Sequence, residues 1–122
     1  MKIKVSIGNS RMDKKWRLSE MELDEFRDRI FQTKVTAETL AEFKKMPKAQ
    51  QDAIKDIGGF VLGTLKGGRR KKDCVLTRSA LSLDMDYASP EVIDQVEMFF
   101  SFRCYFYSTH KHTPEAPRLR LI

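Results

Sequence analysis

The stretch Leu81-Ser82-Leu83-Asp84-Met85-Asp86 alternates apolar and polar side chains, which predicts a β-strand. Successive side chains of a strand point to opposite faces. Asp84 and Asp86 therefore share one face, with Cα atoms about 6–7 Å apart. Carboxylate oxygens at this spacing suit Mg²⁺ or Mn²⁺, the ions that assist phosphoryl transfer. We interpret the two acids as metal ligands; the alternative is that Asp86 only opens the loop that follows.

The segments on either side of this strand predict an α+β fold. Ser89-Pro90-Glu91 has the composition of a helix start, and the helix is expected to reach about Phe100. Further strands are expected at residues 2–7, 60–65, 103–107 and 118–122. The expected order is a strand, three helices and then β-β-α-β-loop-β, which is typical of a mixed, largely antiparallel sheet with flanking helices. Residues 1–122 are interpreted as one domain, mainly helical over 1–57 and sheet-forming over 58–122.

The three helices of the first half are predicted from their capping residues. Ser19 and Glu22 have the spacing of a capping box. Thr36 is expected to cap a second helix, and Pro47 to begin a third over about residues 48–56. The loop over residues 8–17 is basic and contains Trp16, a candidate for stacking on a nucleic-acid base. The aromatic residues over 99–107 are expected to pack in the core instead.

A second candidate site follows the strand that ends near Tyr107. His110, Lys111 and His112 supply cations or hydrogen-bond donors that suit the phosphates of a nucleotide. A solvated polar loop with two incidental histidines is the alternative. Later in the chain, Arg118 and Arg120 share one strand face and add positive charge there.

A third candidate is the segment from Lys66 to Lys72, in which two glycines precede a run of cations. Glycines allow a ligand to approach the backbone closely, and the cations suit phosphate. The predicted nucleic-acid-binding residues are Lys66, Arg69, Arg70, Lys71 and Lys72. The spacing does not match a P-loop, and a solvated hairpin tip fits the same residues equally well.

Length and composition exclude several classes of protein. The chain has 122 residues, a net charge of +6 and 41% hydrophobic residues, which favours one globular domain with a polyanionic partner. No apolar run approaches the length of a membrane helix, and the N-terminus has no apolar signal core. We expect no membrane partner and a cytoplasmic location. Cys74 and Cys104 have no CxxC spacing, so reduced thiols are favoured over a zinc site.

The quoted motifs, together with Asp56-Ile57-Gly58-Gly59-Phe60-Val61, resemble phage and prophage primases of the archaeo-eukaryotic primase superfamily. The long chains of these proteins often carry a virulence-associated-E-type helicase region. The resemblance covers residues 56–122 well and the first fifty residues loosely. It implies an RNA-recognition-motif-like sheet with flanking helices, as part of a primase–polymerase catalytic domain. It also implies a nucleotidyltransferase that uses nucleoside triphosphates to make primers on a single-stranded DNA template.

The resemblance also implies roles for individual residues. Asp84 and Asp86 match the first motif of the superfamily, which holds the metal ions. Ser108-Thr109-His110 matches the second motif literally, although related sequences often keep a histidine at the place of His112, so both are named as nucleotide ligands. Lys111, Arg118 and Arg120 would assist at the triphosphate.

The third acidic motif of the superfamily has no counterpart in the chain, which stops within the alternating segment 118–122. We therefore expect a fragment of a longer protein, with a helicase region downstream. Whether residues 1–122 are active alone is left open.

Two other functions fit the same residues. One is a non-catalytic module that binds single-stranded nucleic acid. The other is a rolling-circle replication initiator, with His110-Lys111-His112 as its metal site and Tyr105 or Tyr107 as nucleophile. That motif normally has a hydrophobic middle residue, and here the tyrosines precede the histidines on a strand, so we rank it last.

Overall fold

A computed structural model describes residues 1–122, and the chain divides into two units, Met1–Leu81 and Ser82–Ile122. The first contains β1 (Lys2–Gly8), β2 (Arg17–Glu22), α1 (Leu23–Ile30), α2 (Leu40–Lys45), α3 (Lys48–Lys55), β3 (Gly59–Val61), β4 (Gly63–Leu65) and β5 (Val75–Arg78). The second contains β6 (Leu83–Met85), α4 (Val92–Phe99), β7 (Phe106–Ser108) and β8 (Leu119–Leu121). Every strand pairing is antiparallel, so the fold is mixed α/β with antiparallel sheets.

Strand β1 lies at the centre of the first unit, in a sheet of order β2-β1-β3. Its alternation buries Ile3 and Val5 and leaves Lys2 and Lys4 exposed. Ser6 is also buried, and its hydroxyl donates to the carbonyl oxygen of Gly63 in β4 at 2.9 Å. A second serine, Ser79, donates through its hydroxyl to the carbonyl of Lys4 at 2.8 Å. These bonds connect β1 to the two-stranded sheet β4-β5.

The helices of the first unit differ in part from the predicted ones. Ser19 lies within β2 and does not cap a helix. Residues 17–22 pair with β1 as a strand, and their alternation buries Met21. The second helix is capped by Thr39, not Thr36, in a capping box with Glu42. The third helix begins after Pro47, as predicted.

Trp16 is buried, which contradicts its interpretation as a base-stacking residue. Its indole lies against Gly8 and Gly59, where an added Cβ at Gly8 would overlap the ring. Its backbone N–H donates to the carbonyl of Gly68 at 2.7 Å. The indole Nε1–H is buried without an acceptor, at a cost of about 1–3 kcal/mol. Burial of the large ring offsets this cost.

Two carboxylates order the loop that leads to Trp16. Asp13 accepts from the backbone N–H of Asn9 at 2.7 Å. Asp56, just after α3, accepts from the Ser10 hydroxyl at 2.5 Å and from the Arg11 backbone N–H at 2.8 Å. These bonds hold the pKa of Asp56 below its usual value, and the bond from Ser10 has the largest effect. The loop is therefore attached to the end of α3.

The second unit is built around β8, which lies between β6 and β7. Leu119 and Leu121 on one face of β8 are buried, as is Val96 of α4. The residues between the leucines lie on the opposite face. Phe99, Phe100 and Phe102 are exposed, so the prediction that this aromatic run packs in the core is wrong for these three. They lie at and beyond the end of α4.

Substitution of Gly63 by alanine should destabilise the first unit strongly. Gly63 has φ +145°, and a Cβ there would overlap the carbonyl oxygen of Thr77 in β5. We expect Gly63→Ala to lower the free energy of unfolding in urea by at least about 2 kcal/mol. Gly67→Ala is the control, since Gly67 has φ +60° with open space around it. This substitution should lower the free energy of unfolding by only about 1 kcal/mol. Equal losses in the two variants would contradict this packing.

Candidate functional site

The register of the second sheet brings together residues that are distant in sequence. Asp84 of β6 is paired with Arg120 of β8, and Arg120 is paired on its other side with Tyr107 of β7. Paired residues of neighbouring strands project from the same face. The face opposite Leu119 and Leu121 therefore carries an acid, a guanidinium and a phenol side by side.

Arg120 makes directed contacts with both of its neighbours. Its Nε donates to Asp84 Oδ1 at 2.5 Å, and its Nη1 donates to the Tyr107 hydroxyl oxygen at 3.0 Å. The guanidinium carbon also lies 5.7 Å from the centroid of the Tyr107 ring. A charged donor bonded to a carboxylate forms the stronger kind of hydrogen bond, so the guanidinium is held in place.

The surroundings of Arg120 and Tyr107 change their affinity for protons. Partial burial opposes the charge on Arg120, but the bonds to Asp84 and Tyr107 outweigh it, and the pKa of Arg120 is raised. Partial burial raises the pKa of Tyr107 above its usual 10.0, while the nearby guanidinium acts in the opposite direction. At neutral pH the site thus holds a cationic arginine and a neutral phenol.

A second acid–arginine pair lies just beyond the ends of β6 and β8. Arg118 Nη1 lies 3.5 Å from Asp86 Oδ1, and its guanidinium carbon lies 5.7 Å from the centroid of the Tyr87 ring. Thr109, beyond β7, donates its backbone N–H to the carbonyl of Arg118 at 2.9 Å. The two predicted acids are thus each matched by one of the two predicted arginines. We call this set, Asp84, Asp86, Arg118, Arg120 and Tyr107, the acid–arginine face.

The histidine loop connects β7 to β8 and distinguishes its two histidines. His112 is half-buried, and its Nδ1 accepts from the backbone N–H of Arg118 at 3.1 Å. Its neutral ring therefore carries its proton on Nε2. His110 is exposed, and Lys111 is half-buried. His112 is thereby attached directly to the backbone of a residue in the acid–arginine face.

The acid–arginine face is not a complete metal centre. Asp84 and Asp86 are more than half exposed, with side-chain exposures of 62% and 56%, but each is engaged by an arginine. No group of three histidine, cysteine or acidic side chains with metal-binding geometry occurs in residues 1–122. The donor type suits Mg²⁺ or Mn²⁺, which accept one or two carboxylates when substrate phosphates complete the coordination.

The basic segment belongs to the first unit. Its five predicted residues, Lys66, Arg69, Arg70, Lys71 and Lys72, are all exposed. The guanidinium carbon of Arg70 lies 5.1 Å from the centroid of the Trp16 ring. The glycines of the segment have positive φ, which bends the backbone sharply at Gly67 and Gly68.

Sequence reasoning missed the roles of Tyr107 and Tyr87. The sequence predicts Tyr107 only as a core residue or, alternatively, as a nucleophile. The alternation of residues 106–108 could have placed Tyr107 on the polar face, but only knowledge of the strand order shows that Arg120 is beside it. Tyr87 is exposed, and no hydrophobic alternation in the sequence indicates a role for it.

The second unit is thus an antiparallel α/β unit with an acid–arginine sheet face. The family VapE N-terminal domain matches residues 1–122, and the chain belongs to that family. It is therefore the N-terminal domain of a VapE-type, phage-associated protein with a role in replication. Comparisons with curated proteins and with solved structures gave no match. None of the helices is both long enough and apolar enough to cross a membrane.

Replacement of Arg120 should change the titration of Tyr107. Because the guanidinium lowers the pKa of this phenol, Arg120→Met should move the tyrosinate absorbance of Tyr107 to still higher pH. Comparison with Tyr107→Phe in each background isolates the signal of Tyr107. Arg103→Met is the control, since Arg103 lies over Tyr105 instead. An unchanged Tyr107 titration in Arg120→Met would contradict the contact.

Proposed function

We propose that this domain is part of a primase, a template-directed nucleotidyltransferase that makes primers on single-stranded DNA, and that the acid–arginine face binds the incoming nucleoside triphosphate. The observation that carries the proposal is the pairing of Asp84 with Arg120 across the sheet, together with the ion pair of Asp86 and Arg118 just beyond the strand ends. Residues 84–86 and 118–120 are separated by α4 and the histidine loop in sequence. Antiparallel pairing brings them together.

The arginines are suited to the triphosphate. A guanidinium presents a planar set of donors that matches phosphate oxygens in the same way as it matches carboxylates. The side chains of Arg118 and Arg120 are about one-third exposed, so a phosphate can reach their guanidinium groups. A bound triphosphate would replace the carboxylates as partner of the arginines. It would thereby release Asp84 and Asp86.

The released carboxylates are the groups that would hold Mg²⁺ or Mn²⁺. Such an ion, when bound, neutralises charge on the phosphates during phosphoryl transfer. Because two carboxylates alone do not complete its coordination, we expect the ion to bind together with the nucleotide. His112, through Nε2, would donate to a phosphate oxygen, and Lys111 and His110 would supply further positive charge or donors from the same loop.

A non-catalytic module that binds single-stranded nucleic acid is the second candidate. It is favoured by the pairing of both acids with arginines, which stabilises the carboxylates without any metal ion. The rolling-circle alternative is not favoured, because the hydroxyl of Tyr107 is engaged with Arg120 and this residue lies in a strand. A helicase region as partner in the same chain is proposed only from the resemblance to primases.

The proposal is tested by titration of the protein with Mn²⁺ in the presence and absence of a fluorescent nucleoside triphosphate. We expect nucleotide binding to depend on Mn²⁺ and to be abolished in Asp84→Ala/Asp86→Ala. Asp94→Ala/Glu97→Ala removes the same charge from the exposed side of α4 and should bind as the wild type does.

Two outcomes would count against a nucleotidyltransferase. One is nucleotide binding that needs no metal ion and survives loss of both acids, since the arginines alone would then explain it. The other is absence of nucleotide binding both in residues 1–122 and in the full-length protein. Metal-free binding of single-stranded oligonucleotide in the same preparations would favour the second candidate.

A further inference from the structure

Two neighbouring concavities lie on the unit Met1–Leu81 and share Leu65 in their walls. The first encloses about 480 Å³ and has Lys15 and Arg17 at its edge. The second encloses about 280 Å³ and is bordered by four cations, Arg70, Lys71, Lys72 and Arg78. Neither concavity is lined by an acidic residue. We call the two concavities together the basic groove.

The basic groove combines exposed cations with an apolar floor. All six bordering cations are exposed, so they are accessible to a ligand. The floor of the first concavity includes Leu18 and Leu65. The floor of the second includes Leu65, Val61 and Val75. A small anion such as free phosphate would use the charges but not the apolar floors. A ligand that uses both must carry repeated negative charge and flat apolar surface.

Trp16 joins the two halves of the groove. It lies between Lys15 and Arg17 in sequence, and its backbone N–H is bonded to Gly68 in the basic segment. Its ring contacts the guanidinium of Arg70, which borders the second concavity. At Gly68, a Cβ would lie 2.7 Å from the Trp16 carbonyl oxygen, so the two segments are in close contact. Trp16 is thus a positioning residue that holds the cations of both segments together.

We propose that the basic groove binds single-stranded nucleic acid, with phosphates at the cations and bases or sugars on the apolar floors. In a duplex the bases are stacked and paired inside the helix and cannot reach such floors, whereas a single strand presents them. Two adjacent concavities, each with its own cations, suit successive nucleotides of one strand.

The proposal deepens the proposed function, since it names a surface by which the domain would hold a single-stranded partner. It uses no residue of Ser82–Ile122. Loss of nucleotide binding at the acid–arginine face and loss of strand binding at the basic groove are therefore separate outcomes.

The test is fluorescence anisotropy with a labelled oligothymidylate of about 12 nucleotides, within the range that single-strand-binding folds cover. Loss of two phosphate contacts in Lys15→Ala/Arg17→Ala should weaken binding about 25-fold at 0.1 M salt. The slope of log affinity against log salt concentration should also become shallower by about 1.4, since each phosphate contact on a single strand contributes about 0.7. Arg70→Ala/Lys72→Ala should act in the same direction. Thermal unfolding identifies any variant that has lost its fold.

The matched control is Lys44→Ala/Lys45→Ala, which removes the same charge from exposed positions on α2 outside the groove. It should bind oligothymidylate almost as the wild type does. Equal weakening in Lys44→Ala/Lys45→Ala and in Lys15→Ala/Arg17→Ala would overturn the groove, because net charge alone would then explain binding.

The nature of the ligand is tested in the same assay. A duplex of equal length should bind more weakly than the single strand, and equal or tighter duplex binding would overturn the proposal. Trp16, the only tryptophan of the chain, provides a second signal. Its emission should change as oligothymidylate saturates the groove, and this change should be lost with binding in Arg70→Ala/Lys72→Ala. Inorganic phosphate that matches the oligonucleotide in affinity would show that the site takes a free anion instead.

Discussion

The bond between Arg120 and Asp84 is the interaction on which the candidate site depends. It joins β6 to β8 on the polar face, and the contact with Tyr107 extends it to β7. The opposite face of β8 buries two leucines, so the pleat fixes the arginine on this side. The same guanidinium geometry that binds a carboxylate also binds a phosphate. In the proposed function, one residue thus stabilises the sheet without a ligand and contacts a triphosphate when one is bound.

This arrangement also explains why two exposed acids can occupy neighbouring positions on one sheet face. Asp84 and Asp86 would repel each other if they were unpaired, but each lies against an arginine, and the charges of the four side chains balance. Binding of a triphosphate would disturb that balance, since it brings negative charge to the arginines and leaves the carboxylates without partners. A divalent cation held by the released carboxylates would offset part of this added negative charge. The proposed dependence of metal binding on the nucleotide follows from this charge balance.

The sequence predicted the polar face of the second sheet better than it predicted the first unit. Alternation in residues 81–86 and 118–122 predicts a strand face for the acids and arginines, because a strand has a simple period. The register confirms this for Asp84 and Arg120, whereas Asp86 and Arg118 lie just beyond the strand ends. Ser19 was misinterpreted because a capping-box spacing also occurs in a strand, and only pairing with β1 distinguishes the two. Trp16 was misinterpreted because its burial depends on Gly8 and Gly59, which no local pattern connects to it. Strand order and long-range packing were the missing information.

The central claim, that Arg118 and Arg120 exchange carboxylates for a triphosphate, is tested most directly by NMR of the arginine Nε–H groups. Resonances would be assigned with Arg118→Lys, Arg120→Lys and Arg103→Lys, and followed during addition of a nucleoside triphosphate with Mg²⁺. The account predicts that the Arg120 and Arg118 signals shift to saturation while that of Arg103 does not move. Arg120 and Arg118 signals that stay unchanged at high nucleotide concentration would contradict it.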